Sequence, residues 1–498
     1  MYIRHDDRAA SSIPISENLI GGVSRPAGDA RTLDVLCPSD GLPFARIARS
    51  GAVDVDAAVG AARAAFDGAW GRFTAIERGR LLMKLGQAIA DNSAELAALE
   101  SRDTGKPLKQ GAADMVAAAR YFEFYGSAAD KLHGQTLPFL SGYTVAIVRD
   151  PHGVTGHIIP WNYPAQIFGR SIGASLACGN SCVVKPAEDA CLSVIRMAEL
   201  AREIGFPDGA LNVVTGLGAE AGAALSAHPG VDFISFTGSP ATGAAIQSAA
   251  ARNNIGVTME LGGKSPQLLF SDADIDAALP VIINAIIQNG GQTCSAGSRV
   301  LIERSSYAEF SAAIAARFAR VRAGAHDKDL DMGAMINARQ RARVEKFLAD
   351  AEGSGLRPLA RGSIDETAPQ GGFYVTPTLF GDVPRANALA NDEVFGPVLA
   401  LLPFEDEADA ITLANATPYG LVAGVWTRDA KRSMRVARAM RCGQVYVNGY
   451  GAGGGVELPF GGVKRSGHGR EKGFEALYEF CAAKTIVIAS PSGMSSFR

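Results

Sequence analysis

Gly153-Val-Thr-Gly-His-Ile-Ile159, Ser181-Cys-Val-Val-Lys185, Leu211-Asn-Val-Val214, Asp232-Phe-Ile-Ser-Phe236 and Val257-Thr-Met-Glu260 are short apolar runs, and helix-like stretches at 190–204, 219–227 and 240–252 fall between them. Apolar runs of this length without polar alternation suit strands buried on both faces. Their alternation with helices predicts a parallel sheet covered by helices, a doubly wound α/β domain. Ligands of such sheets sit at the carboxyl ends of the strands. Ahead of this region, 52–70 and 76–103 are alanine-rich with helical spacing. Near 133–150 the pattern changes to two extended segments around a turn at Ser141-Gly-Tyr143. The second half, about 263–465, again mixes strands and helices, with a helix expected at 273–289.

The chain has 498 residues, too many for one ordinary core, so two or three domains are expected. Apolar content of 47% with 20% charged residues excludes a disordered chain. A net charge of −3 argues against a nucleic-acid surface. No apolar run is long enough for a membrane span, and the charged start Met1–Arg8 lacks a secretory apolar stretch. Seven cysteines in so long a chain are not a disulfide framework, and a reducing cytoplasm is the expected compartment. Cys178 and Cys182 have no second pair or histidine cluster, so they read as buried residues and no metal site is expected.

Two segments carry the chemistry. In Glu260-Leu-Gly-Gly-Lys-Ser-Pro266 a carboxylate precedes two glycines; in Gly290-Gly-Gln-Thr-Cys294-Ser-Ala-Gly297 a thiol has little bulk around it. A nucleophilic cysteine with a separate water-activating carboxylate fits this pattern. The competing reading is a small buried thiol and a carboxylate that caps a strand or pairs with Lys264.

Each further motif follows a strand. Phe236-Thr-Gly-Ser239, with Gly243, opens a helix whose N-terminus suits a phosphate, although such turns also occur without a ligand. Gly216-Leu-Gly218 with Gly222 has the wrong spacing for a dinucleotide fingerprint and reads as a packing turn. In Lys185-Pro-Ala-Glu188 the carboxylate suits two ribose hydroxyls and repels a 2′-phosphate; an exposed ion pair is the alternative. Pro160-Trp-Asn162-Tyr-Pro164 stiffens an amide as an oxyanion site requires, or Asn162 bonds its own backbone.

Together with Glu393-Val-Phe-Gly-Pro397 and Pro459-Phe-Gly-Gly-Val-Lys464-Arg-Ser-Gly467, these motifs resemble the aldehyde dehydrogenase superfamily over nearly the whole chain. The resemblance implies a Rossmann-like cofactor domain (1–128 and 150–262), an α/β catalytic domain (263–465) and a small β oligomerisation flap (129–149 and 475–498). It implies that the Cys294 thiolate attacks an aldehyde, that Asn162 and the Cys294 N–H hold the oxyanion, and that Glu260 activates water against the thioester. Relatives that pass the acyl group to coenzyme A usually lack this base, so a free acid is expected. The resemblance places Lys185 and Glu188 at the adenosine ribose, Ser239 at the pyrophosphate, and Glu393 and Phe395 at the nicotinamide side. Trp161, Gly238, Gly243 and Leu261 complete the expected cofactor contacts. NAD is expected, with NADP as the alternative.

The aldehyde is expected to be aromatic or a semialdehyde, met by Tyr163, Arg170, Gln288, Thr293 and Phe460. Arg170 aligns with the arginine that grips a carboxylate in succinic semialdehyde enzymes, but Gln288 replaces their second arginine; a salt bridge to a neighbouring helix is the competing use of Arg170. The loop Gly451–Gly455 is expected to leave the tunnel mouth wide or mobile. The hairpin near 129–149 and Phe480–Ile488 have edges that need covering, which predicts a homodimer or homotetramer. A thiol hydrolase or esterase would need a histidine base near Cys294. A non-catalytic relative would lack Cys294, Glu260 or Asn162, and all three are present.

Overall fold

The computed structural model describes residues 13–451 and 455–490. The charged start at 1–8, the centre of the glycine loop at 452–454 and the tail 491–498 lie outside the described residues.

Five parallel strands form the heart of the first sheet. Val154–Ile159 is central, with Ser181–Pro186 and Leu211–Val213 on one side and Phe233–Thr237 and Gly256–Glu260 on the other. The chain therefore builds outward in one direction, returns, and builds in the other. The reversal lies between Val154–Ile159 and Phe233–Thr237, and the crevice beyond their carboxyl ends is where such sheets bind ligands. Register sets Phe236 opposite Ile158 and Met259. Val154, Val183, Ile234, Phe236 and Met259 are buried together, which explains the unbroken apolar runs. Asn18–Ile20 and Val23–Arg25 extend one edge antiparallel, and Gly467–His468 pairs antiparallel with Gly256–Glu260 at the other.

A second sheet of seven strands runs in the order Pro358–Arg361, Thr378–Phe380, Val398–Phe404, Arg299–Glu303, Pro266–Leu269, Val422–Trp426, Gln444–Val447. Only its first pair is antiparallel. Helix Ile275–Ile287, capped by the Asp274 carboxylate on the Ala277 N–H, packs Ile282, Ile283 and Ile286 against Leu268 and Val300 of this sheet. The two sheets are joined by Leu261–Ser265 alone at this point in the chain: Glu260 ends one strand and Pro266 begins the next.

The helical stretch expected at 76–103 is two helices, Ala75–Asp91 and Ser93–Thr104. Thr74 and Glu77 form a capping box at the first. Asn92 ends it by turning its amide back onto the Ala88 carbonyl at 2.8 Å, a local bond that competes with helix continuation. These helices, Leu108–Ala128 and Pro164–Cys178 bury Leu82, Leu85, Phe122, Phe168 and Ile172 in one core.

The extended segments near 133–150 form the antiparallel pair Gln135–Leu137 and Tyr143–Pro151. Cys481–Ala489 adds to it, with Cys481 opposite Pro151 and Ala489 opposite Tyr143. That last strand is outermost, and its side chains beyond Cys481 are exposed. Among the described residues no helix is long and apolar enough to cross a membrane.

Candidate active site

Cys294 is delivered by a left-handed turn. After helix Ile275–Ile287 the chain enters the left-handed region at Asn289 (φ 50°), Gly290 (62°) and Gly291 (74°). At Gly291 a Cβ would fall 2.2 Å from the Gly396 carbonyl oxygen, so no side chain fits. Cys294 then emerges half-buried in the wall of a cavity of about 420 Å3. Asn162 and all five residues expected to meet the substrate, Tyr163, Arg170, Gln288, Thr293 and Phe460, line the same cavity. Burial pushes the thiol up to about 11; Arg170 and Lys472 oppose that shift, while Glu260 and Glu393 add to it.

Asn162 is held on three sides. Its side-chain amide donates to the Gln292 carbonyl at 3.0 Å, and its amide oxygen accepts the Tyr163 N–H at 3.1 Å. Its own carbonyl accepts the Asn289 amide at 2.8 Å and the Lys106 ammonium at 3.1 Å. An amide nitrogen has two hydrogens, so the bond to Gln292 leaves one for a ligand. Tyr163 shares a hydrogen bond with Thr293 at 2.8 Å, and Thr293 also donates to the Gln288 carbonyl at 3.3 Å.

Glu260 is buried, and neither carboxylate oxygen has a hydrogen-bond partner, so it is not paired with Lys264. It lies against Gly461, where a Cβ would come within 2.8 Å of its Oε1. Burial first, and then the Glu471 charge, raise its carboxyl well above the ordinary range. The Glu260 charge in turn helps to raise the Cys294 thiol. Gly263 packs on the Cys294 carbonyl: a Cβ there would lie 2.4 Å from that oxygen.

Arg170 faces the cavity but its charge is spent. It is ion-paired with Glu471, donates to Thr237 Oγ1 at 3.2 Å, and stacks over Phe460 at 5.4 Å from the ring centre. The expected half clamp for a substrate carboxylate is therefore corrected: Glu471 already occupies it. The partner lies in the segment that pairs with Phe460, not in a helix. Phe460 also carries the Lys472 ammonium at 5.1 Å. Burial, aided by Arg170, lowers the Lys472 ammonium to about 8. Glu471, Lys472, Tyr446 and Tyr450 are absent from the sequence-based expectations. A run of charges between glycines, Gly469-Arg-Glu-Lys-Gly473, was the available signal for the first two.

The expected cofactor residues lie at the strand ends. Lys185 donates to Glu188 at 2.7 Å, and the Gly218 N–H reaches Glu188 at 3.3 Å. Burial opposes charge on Glu188, but Lys185 and this N–H outweigh it and hold the carboxyl below its usual range. The Lys185–Glu188 pair is thus part-buried, unlike an ordinary surface ion pair. Ser239 caps helix Pro240–Ala251 by accepting the Thr242 N–H, with Gly238 just before it. Gly243 lets that helix lie against Leu261, whose Cδ2 would be 2.7 Å from a Cβ. Glu393 accepts the Gly263 N–H at 2.8 Å, and burial pushes its carboxyl up to about 7. Phe395, at φ 59°, meets the Trp161 ring edge-on at 5.5 Å. A part-buried carboxylate at one strand end and a capped helix N-terminus at another suit a ribose and a diphosphate.

No histidine lines the cavity among the described residues. His157, which shares the Thr155 hydroxyl with the buried thiol Cys182, is held neutral by burial at about 3 and is bonded to Thr155 and Ser171. The histidine base that a thiol hydrolase would need is not found in the cavity wall among the described residues.

The model of the aldehyde dehydrogenase family matches residues 25–486. The mitochondrial aldehyde dehydrogenase family 2 member B4 of Arabidopsis thaliana is 41% identical over 475 residues, covering 95% of this chain and 88% of its own. A crystal structure from Burkholderia cenocepacia, provisionally assigned as an aldehyde dehydrogenase, is 62% identical with a TM-score of 0.95, covering 95% of this chain and all of that one. The NAD+ complex of an aldehyde dehydrogenase from Bacillus cereus is 37% identical with a TM-score of 0.92, covering 95% of this chain and 96% of that one. The chain belongs to the aldehyde dehydrogenase family.

Proposed function

We propose that this protein oxidises an aldehyde to the free carboxylic acid with NAD. The observation that carries the hydrolytic half is Glu260, a buried carboxylate with no hydrogen-bond partner beside a half-buried thiol. No protein donor fixes either oxygen, which leaves the group able to turn to a water, as a water-activating base requires.

The Cys294 thiolate, formed by loss of the thiol proton to solvent, bonds to the aldehyde carbon as the carbonyl π bond opens, and the oxygen becomes an oxyanion facing the spare Asn162 N–H and the Cys294 N–H. NAD, when bound, supplies the acceptor for the hydride lost from this adduct. The thioester left on Cys294 is then opened by water, whose proton passes to Glu260; the carbon–sulfur bond breaks, and the acid leaves. Lys185 and Glu188 would hold the adenosine ribose, Ser239 at the helix N-terminus the diphosphate, and Glu393, Phe395 and Trp161 the nicotinamide end. Glu188 disfavours a 2′-phosphate, which supports NAD over NADP.

We infer an aromatic aldehyde as substrate. Tyr163, Tyr446, Tyr450 and Phe460 put four rings around Cys294, and the charge of Arg170 is matched by Glu471. The semialdehyde reading rests on Arg170, whose charge is matched by Glu471. NADH production from benzaldehyde, succinic semialdehyde, betaine aldehyde and hexanal tests this. Preference for benzaldehyde supports the proposal; preference for betaine aldehyde or hexanal overturns it.

The outermost strand Cys481–Ala489 supports a homodimer or homotetramer, since a nine-residue edge with exposed Ile486, Val487 and Ile488 calls for a cover.

A further inference from the structure

Lys106 is fully buried between helices Ser93–Thr104 and Leu108–Ala128, and its ammonium has three hydrogens. They go to Glu100 Oε1 at 3.1 Å, Asp114 Oδ2 at 2.5 Å and the Asn162 carbonyl at 3.1 Å. The same ammonium lies 4.7 Å from the centre of the Tyr163 ring. We propose that Lys106 is a positioning residue for the oxyanion site, fixing Asn162 through its main-chain carbonyl.

The two carboxylates that neutralise Lys106 grip the same segment. Glu100 Oε2 accepts the Ala165 N–H at 3.3 Å and the Ser193 hydroxyl at 2.7 Å. Asp114 Oδ1 accepts the Gln166 amide at 2.6 Å. One buried ion cluster thus holds residues 162, 165 and 166, the loop and first turn of helix Pro164–Cys178. From the other side, Asn289 donates to the Asn162 carbonyl, and its left-handed backbone belongs to the turn that delivers Cys294. The Asn162 carbonyl is therefore the shared anchor between the oxyanion amide and the nucleophile turn. Burying an ammonium among two carboxylates is a poor way to gain stability, because desolvation offsets most of the attraction. Its geometric value is that all three ammonium hydrogens are engaged, which ties the Asn162 loop to helices Ser93–Thr104 and Leu108–Ala128.

The inference rests on Asn162 donating to the oxyanion, and Asn162→Ala tests that separately. Its NADH burst should slow by about 100-fold or more. Lys106→Met should slow the burst by about 10- to 100-fold, as expected for a misplaced donor, with NAD affinity within about twofold of the parent. Since Lys106→Met strands two buried carboxylates, the charge-balanced variant Lys106→Met/Glu100→Gln/Asp114→Asn is measured beside it. The decisive combination adds Asn162→Ala to the charge-balanced variant. If Lys106 acts through Asn162, the combination is slower than Asn162→Ala alone by less than about threefold. Losses that multiply, or a folded charge-balanced variant whose burst stays within twofold of the parent, overturn the role of Lys106. A normal burst in Asn162→Ala overturns the oxyanion reading itself and the proposal with it.

Discussion

Arg170 and Glu471 form an ion pair in the wall around Cys294, and the Ser235 hydroxyl donates to Glu471 at 2.8 Å. Both side chains are buried, so the pair belongs to the architecture of the tunnel and leaves little charge for a substrate. Replacing Arg170 by Met leaves Glu471 charged and buried near Glu260. This should cost about 3–5 kcal/mol of stability, read as a lower urea midpoint. Arg170→Met/Glu471→Leu should recover most of it. An Arg170→Met protein as stable as the parent would show that the pair is not structural.

The thiol of Cys294 stands at about 11 without ligands, so the thiolate fraction at neutral pH is small. Below that value the fraction grows about tenfold per pH unit, because a raised thiol pKa means the reactive form appears only as pH rises. Alkylation of the ligand-free protein by iodoacetamide should accelerate about tenfold per unit from pH 7 to 9, with Cys294→Ala as background. A flat profile would mean the thiolate is already formed.

Glu260 is held protonated by burial until well above the ordinary carboxyl range, and only the ionised form takes a proton from water. Thioester hydrolysis should therefore increase with pH. Glu260→Gln should abolish that rise, giving a stoichiometric burst of NADH followed by a stall. Steady turnover at the parental rate would remove Glu260 from the mechanism. Cys294→Ala should lose both burst and turnover.

Val487 is exposed on the outermost strand between Ile486 and Ile488. A lysine there places a charge on an edge that the proposed partner would cover. Val487→Lys should shift the protein to smaller species in light scattering after size exclusion. A parent that already runs as a stable monomer would end the oligomer reading.

Sequence periodicity was enough for the parallel sheet because strands buried on both faces leave an uninterrupted apolar signature. Cys294, Glu260 and Asn162 stood out instead by local composition, each among glycines or prolines. What stayed hidden depends on individual side-chain contacts. The break at Asn92 hinges on one side chain folding back on Ala88, which apolar spacing does not register. The use of Arg170 turns on Glu471, and Lys106 reads as an ordinary loop cation until helix Leu108–Ala128 brings Asp114 beside it. Tyr446 and Tyr450 reach the cavity only because the second sheet ends next to Cys294.

Glu260 closes a strand of one sheet, while Cys294 is carried by a helix laid on the other, and the five residues Leu261–Ser265 tether the two. In the proposed mechanism both steps span the two halves: acylation draws on Cys294 and Asn162, and release of the acid on Cys294 and Glu260. For anyone recombining such proteins, the tether is thus the costliest place to cut. A chimera joined within it would inherit a nucleophile shaped by one parent and a water-activating group shaped by another. Its expected defect is a stalled thioester in an otherwise well-folded chain.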